Sequence, residues 1–167
     1  MATTADKVST LARKFKVDVL PGSADPETEE WISLRGVQEL TPGKEDNLED
    51  DSDYDSDGWT SQVRTGQSWS LEVKALRKMS ADKAYDPGQE VVRTASDQFG
   101  IDGTVLVRWY NRDGGDEAYQ GRAQAGFSDD GGSVTDLSTA TITLTGTGKR
   151  ETIANPAETA EEPPTGE

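Results

Sequence analysis

Residues 60–77 read TSQVRTGQSWSLEVKALR, and the second half of this stretch decides the fold. Trp69, Leu71, Val73 and Ala75 alternate with Ser70, Glu72 and Lys74, the period of a strand with one face buried and the other wet. Gly66-Gln67 reads as a two-residue turn of the Gly-X kind, which predicts a hairpin of two strands, Thr60–Thr65 and Ser68–Arg77. The same alternation recurs on both sides. Upstream, Phe15, Val17 and Val19 alternate with Lys16 and Asp18 before Pro21-Gly22, and a second run holds Trp31, Ile32, Leu34, Val37 and Leu40. Gly36 interrupts that run and suggests a bulge or bend. Downstream, Val105, Val107 and Trp109 share a face. Tyr119, Ala123, Ala125 and Phe127 share another, as do Ala140, Ile142 and Leu144 within STATITLT.

One helix is expected at about 86–99. Asp86 can cap it, Pro87 suits its first position and Gln89 sits where a capping box places Gln. Val91, Val92, Ala95 and Phe99 form its apolar stripe, and Gly100 ends it. The fold class is therefore mainly β: an antiparallel β-sandwich or barrel of about seven strands with one flanking helix docked through that stripe.

Composition narrows the chemistry. The 167 residues carry a formal net charge of −15, from 17 basic and 32 acidic side chains, with no His and no Cys. Disulfides, thiolate nucleophiles, His-based triads and the usual zinc sites are excluded. The acidic balance disfavours a grip on phosphate backbones or anionic membranes. With no run of 18 apolar residues and no apolar core near the N-terminus, a soluble protein made in the cytoplasm is expected. Leu, Ile, Val and Phe total 28 of 167 residues, a thin core for a protomer on its own, and burial against copies of itself is one remedy.

The charge is concentrated. Residues 44–57 hold eight acids and one Lys, and residues 149–167 hold five acids and two bases. The first segment, KEDNLEDDSDYDSD, contains the strongest local motif. Asp53, Asp55, Asp57 and Gly58 match the first half of an EF-hand loop, in which alternate carboxylates converge on a cation. The twelfth position, which should be a bidentate Glu, is Arg64, so these aspartates are weak metal candidates and the commoner reading is a solvated acidic loop. Carboxylates in a segment with so few apolar anchors are not held as a general acid–base pair. No catalysis, cofactor or metal is expected.

Taken in order, WISLRGVQEL, DSDYDSDGW, TSQVRTGQSWSLEVKAL, YDPGQEVVRTASDQFG, VRWYNRDGGDEAYQGRAQ and TITLTGTG resemble the major tail protein, or tail tube protein, of long-tailed bacteriophages with non-contractile tails. The resemblance covers roughly residues 13–150. It implies a structural virion protein, synthesised and assembled in the host cytoplasm. Six protomers would form a ring with a continuous inner β-barrel, and rings would stack into a tube through which double-stranded DNA passes during ejection. Tape measure, tail terminator and tail-tip proteins are the implied partners. It further implies that the segment 41–59 is a long loop reaching a neighbouring ring, with Leu48, Asp51, Asp53, Tyr54 and Trp59 as contact residues, and that the termini, 1–13 and 149–167, are flexible arms flanking a β domain at 14–148. Two other classes fit a small acidic β protein: a calcium-dependent β-sandwich interaction module and a capsid decoration protein.

Overall fold

The computed structural model describes residues 9–159. Its strands are β1 (Phe15–Pro21), β2 (Ile32–Ser33), β3 (Val37–Asp50), β4 (Gln62–Leu76), β5 (Thr104–Asn111), β6 (Ala118–Asp129) and β7 (Thr139–Thr152). They form one antiparallel sheet in the order β2-β1-β5-β6-β7-β4-β3, which is not closed. The helices are α1 (Pro87–Ser96) and the single turn α2 (Pro156–Thr159).

One face of the sheet carries nearly all the apolar side chains, and the sheet bends so that this face closes on itself. Trp69 on β4 and Trp109 on β5 have ring centroids 5.5 Å apart although two strands separate them in the sheet. A flat sheet would hold those strands roughly 14 Å apart. The fold is thus a sandwich made from one bent sheet. Val17, Val19, Val105 and Val107 of one half face Leu71, Val73, Ile142 and Leu144 of the other, and all are buried. Helix α1 wedges into one open side.

Glycine makes the bend possible. A Cβ on Gly121 would lie 2.5 Å from Trp69 Cζ2, and one on Gly146 would collide with the same indole. Trp69 therefore lies over the backbones of β7 and β6 and reaches Trp109, and its Nε1 donates to the Gly148 carbonyl at 3.0 Å.

The helix is shorter than its apolar spacing predicts. Asp86 caps it by accepting from the Gln89 N–H at 3.1 Å, and Pro87 opens it. Val92 and Ala95 are buried and Val91 is half-buried. Phe99, expected to dock with them, is 93 % exposed. The reason lies in the backbone. The helix ends at Ser96, with Asp97 as its C-cap, and Phe99 is extended at φ −118°, so the i, i+4, i+8 stripe is cut before its third member. Nor does Gln89 fold back as a capping-box partner. It is buried, donates to the carbonyls of Arg35 (2.7 Å) and Leu76 (3.0 Å), and accepts from Arg77.

Three further expectations are corrected. Gly66-Gln67 is no turn: β4 runs straight through it, paired with the acidic residues of β3. The acidic segment 41–59 is accordingly not a loop for most of its length. Positions 41–50 are strand, and only the stretch around Tyr54–Ser56 turns the chain back. Residues 149–159, expected as part of a tail, are structured instead. β7 continues to Thr152, and buried Asn155 donates to the carbonyls of Asn111 (3.0 Å) and Gly115 (3.2 Å), tying α2 to the β5–β6 turn. The outer parts of both expected arms, 1–8 and 160–167, lie outside the described residues.

These placements separate two aromatic substitutions. Trp69→Ala should destabilise the protomer by about 3–5 kcal/mol, because it empties the seat that joins the two halves. Phe99→Ala should stay within about 0.5 kcal/mol of the parent, as expected for an exposed position. Urea unfolding followed by tryptophan fluorescence measures both, and equal losses would contradict the assignment of Trp69 to the core and Phe99 to the surface.

Candidate assembly surfaces

Two features of the fold are incomplete within one protomer. The first is the pair of sheet edges. β3 pairs with β4 on one side only, so its outer edge leaves backbone donors and acceptors free along the strand. At the other end β2 covers β1 only at Asp18 and Val19. Long unpaired edges are templates for strand addition.

The second is an arm. β4 pairs with β7 only from Ser70 to Leu76, whereas its pairing with β3 continues outward from Lys44↔Trp69 to Asp50↔Gln62. Beyond Trp69 the β3–β4 hairpin therefore has no other strand beside it. At about 3.4 Å per residue it projects roughly 25 Å before its tip. A two-stranded ribbon is marginal in water by itself. This one is held by polar cross-strand pairs: Asn47 Nδ2 donates to Thr65 Oγ1 at 2.7 Å, Gln67 Nε2 to Asp46 Oδ1 at 3.0 Å, and Arg64 pairs with Asp46 at 3.2 Å. A bulge sits midway, where Asn47 faces Gly66 and Leu48 faces Arg64, leaving Thr65 without an opposite residue.

The five expected contact residues all lie on this arm. Tyr54 is fully exposed, Trp59 is 81 % exposed, and Leu48 is about half exposed, as is Val63 across the ribbon. The tip is ordered by its own side chains. Asp53 Oδ1 accepts from the Asp55 N–H at 3.0 Å and the Ser56 hydroxyl at 3.1 Å, and the Asp53 N–H donates to Ser56 Oγ at 3.0 Å. Asp53 therefore works as a cap, while Asp51 is exposed. Asp53, Asp55 and Asp57 do not converge: among the described residues no group of three acidic side chains could hold a metal ion.

Sequence reasoning missed a third surface. The outer face of β3, β4, β7 and β6 presents Thr41, Glu72, Thr143 and Thr145, with Gln124 beside them, all exposed, and Lys74 next to Thr141. The period-2 alternation of Thr139, Thr141, Thr143 and Thr145 marked this row as solvent-facing but not its continuity over four strands.

The comparisons with known proteins bear on the fold. No protein-family model and no curated protein matches the sequence. Among solved structures, a chain from the tail of an empty gene transfer agent particle, refined with C6 symmetry, superimposes with a TM-score of 0.66 at 12 % identity, over 87 % of this chain and all of that one. A chain of the SPP1 tail tube gives 0.64 at 15 % identity over 92 % of this chain and 84 % of that one. A chain of the six-fold symmetrised baseplate of the anti-feeding prophage gives 0.60 at 7 % identity, over 89 % and 98 %. The chain has the fold of tail tube proteins.

The Asp50 carboxyl, at the base of the tip, is held below the ordinary carboxylate range by the Ser52 hydroxyl and N–H. A depressed native value favours the folded turn above the ordinary pKa, and this support is lost as pH falls through the lowered value. The Asp50 carboxyl should therefore titrate below 3.8, with the Ser52 amide shifting only in that range. Carbon-detected NMR titration tests this, and a midpoint at or above the ordinary value would contradict the turn.

Proposed function

We propose that this chain is the structural subunit of a virion tail tube: it self-assembles into six-membered rings that stack into a conduit for double-stranded DNA. The observation that carries the reading is the arm, a solvent-exposed two-stranded ribbon with aromatic residues at its tip, on a sheet whose two edges both lack partners. A protomer built this way is completed by copies of itself. Edge-to-edge addition between neighbours in a ring would supply the missing backbone partners, and a closed barrel has no edges. The arm would reach the next ring, where Leu48, Tyr54 and Trp59 would bury and Asp51 and Asp53 would meet cationic groups. The likeness to tail proteins solved with six-fold symmetry supports the ring number.

In this reading the outer face of β3, β4, β7 and β6 lines the channel. Threonine hydroxyls there, with Gln124, Glu72 and Lys74, offer hydrogen bonds but little positive charge. DNA affinity scales with the number of phosphates neutralised, so a surface of this kind does not hold the duplex. A ring would carry a formal charge on the order of −90, which repels phosphate as a whole. The work of the protein is assembly, with no catalytic step. Tape measure, terminator and tail-tip proteins would meet the ends or the lumen of the tube.

Replacing residues 46–67 by Asn-Gly would close β3 and β4 with a tight turn between Glu45 and Ser68, which already face each other. The shortened chain should fold, unfolding cooperatively in urea, and form rings but no long tubes in negative-stain micrographs. Tubes of normal length from it would overturn the role of the arm.

A further inference from the structure

An open groove of about 860 Å³ lies between the two ends of the sheet, lined by β1 residues on one wall and by the segment from Ser33 to Leu40 on the other. Its floor includes Phe15 and Leu40, which pack against the core while remaining partly accessible. Its rim carries Arg13, Lys16, Arg35 and Arg112 against a single acid, Glu39. In a chain of net charge −15 this is an anomalous concentration of positive charge. Lys16 is partly engaged, 3.6 Å from Asp18, but Arg13, Arg35 and Arg112 make no ion pair among the described residues. All three are exposed.

We infer that this groove is the receptor for the acidic arm tip of a second copy of the chain. The inference rests on the reading of the arm as an assembly element and names the surface that receives it. Two chemistries match at once. The tip presents Tyr54 and Trp59 fully or mostly exposed, and the groove offers an apolar floor on which aromatic anchors can bury. Around those anchors stand Asp51, Asp55 and Asp57, whose carboxylates accept no hydrogen bond among the described residues, and the groove rim supplies guanidinium groups that bind carboxylates in bidentate fashion. The arm cannot serve its own groove. The groove wall is Val37–Leu40, at the start of β3, and the tip is carried outward along a ribbon paired from Lys44 to Asp50. Pro156 and Ala157 also line the groove, and the chain continues from them to the C-terminus. Residues 160–167 carry Glu161, Glu162 and Glu167 but no aromatic side chain, so they match the rim and not the floor.

The test uses the full-length chain, which has no native cysteine. Asp55→Cys and Arg112→Cys proteins, mixed at high concentration and oxidised, should give an intermolecular disulfide between the two variants well above the dimers either forms alone. In parallel, Arg13→Glu/Arg35→Glu/Arg112→Glu and Asp51→Lys/Asp55→Lys should each lose tubes, and the chain carrying both sets should regain them. No excess of the mixed disulfide, or normal tubes from the groove-reversed chain, overturns the inference. If removing residues 160–167 abolishes the effect of groove reversal, the groove belongs to the tail and the inference fails. The arm-shortened chain keeps the two ideas apart. Normal tubes from it defeat the assembly reading itself, whereas loss of tubes on arm shortening with none on groove reversal defeats only the receptor assignment.

Discussion

The seat of Trp69 on Gly146 and Gly121 is the contact on which the rest of the protomer depends. A chain with so few large apolar residues has to make each one serve more than one element. Burying an indole removes roughly 200 Å² from water and contributes on the order of 5 kcal/mol. Here that indole belongs to β4, lies across β7 and β6, and touches Trp109 of β5, whose ring in turn lies 5.6 Å from that of Tyr119. The same contact fixes the curvature of the sheet, because Cβ atoms at either glycine would lift the indole and open the bend. Once the sheet is bent, the wedge for Val92 and Ala95 exists and α1 has somewhere to go. The long hairpin also gains its root, since Trp69 sits where the arm leaves the body.

Buried polar groups then fix the register of the thinner parts. Asp18 is buried on the far face of β1 and accepts from Arg108 Nε, Ser33 Oγ and Tyr110 Oη at 3.0–3.1 Å, and Trp31 stacks over the Arg108 guanidinium at 4.6 Å. That cluster holds the two-residue strand β2 in place. At the other end Arg77, almost fully buried, lies against the Tyr85 ring, bonds Gln89 and pairs with Glu90 at 3.0 Å, tying the start of α1 to the end of β4. Among the described residues no buried side-chain polar atom lacks a partner. The outer edge of β3, by contrast, carries backbone groups that have no strand partner.

The elements with strong alternation were legible in the sequence: β1, β5, β6, β7 and the inner half of β4 stand where their patterns put them. Seven strands were expected and seven are found, but the agreement combines two compensating errors. The run Trp31–Leu40 is two strands, split at Gly36, whose φ of +78° turns the chain out of β2. Within the stretch 60–77, Gln62–Leu76 is one strand, with a bulge at Thr65 in place of the expected turn. β3 was hidden because Asp, Asn and Glu are depleted in strands and its partner is half exposed; cross-strand pairs such as Asp46 with Arg64 are invisible until the register is known. Phe99 failed through a backbone departure that no side-chain spacing records. The basic groove could not be read at all, since Arg13, Arg35 and Arg112 are far apart in sequence and meet only because the two ends of a bent sheet approach one another.

If copies assemble as proposed, the placement of charge would delay that assembly. An exposed, unpaired edge invites pairing with any copy that drifts past, and acidic side chains along β3 and the arm oppose such encounters. Repulsion between whole copies is screened beyond about one Debye length, near 8 Å at physiological ionic strength, so only closely approaching copies feel it. Attraction between an arm tip and a cationic groove would be screened over the same range, and an exposed ion pair contributes about 0.2–1 kcal/mol. On the proposed assembly, one arm in one groove would therefore be a weak, short-lived contact between free copies. A ring that offered several grooves at fixed spacing would change the arithmetic, because after the first arm docked the others would bind at high effective concentration. Weak single contacts and strong collective ones would then favour growth on an existing ring over pairing in solution. An acidic arm with few apolar anchors meets that requirement better than a hydrophobic one, which would hold any two copies together.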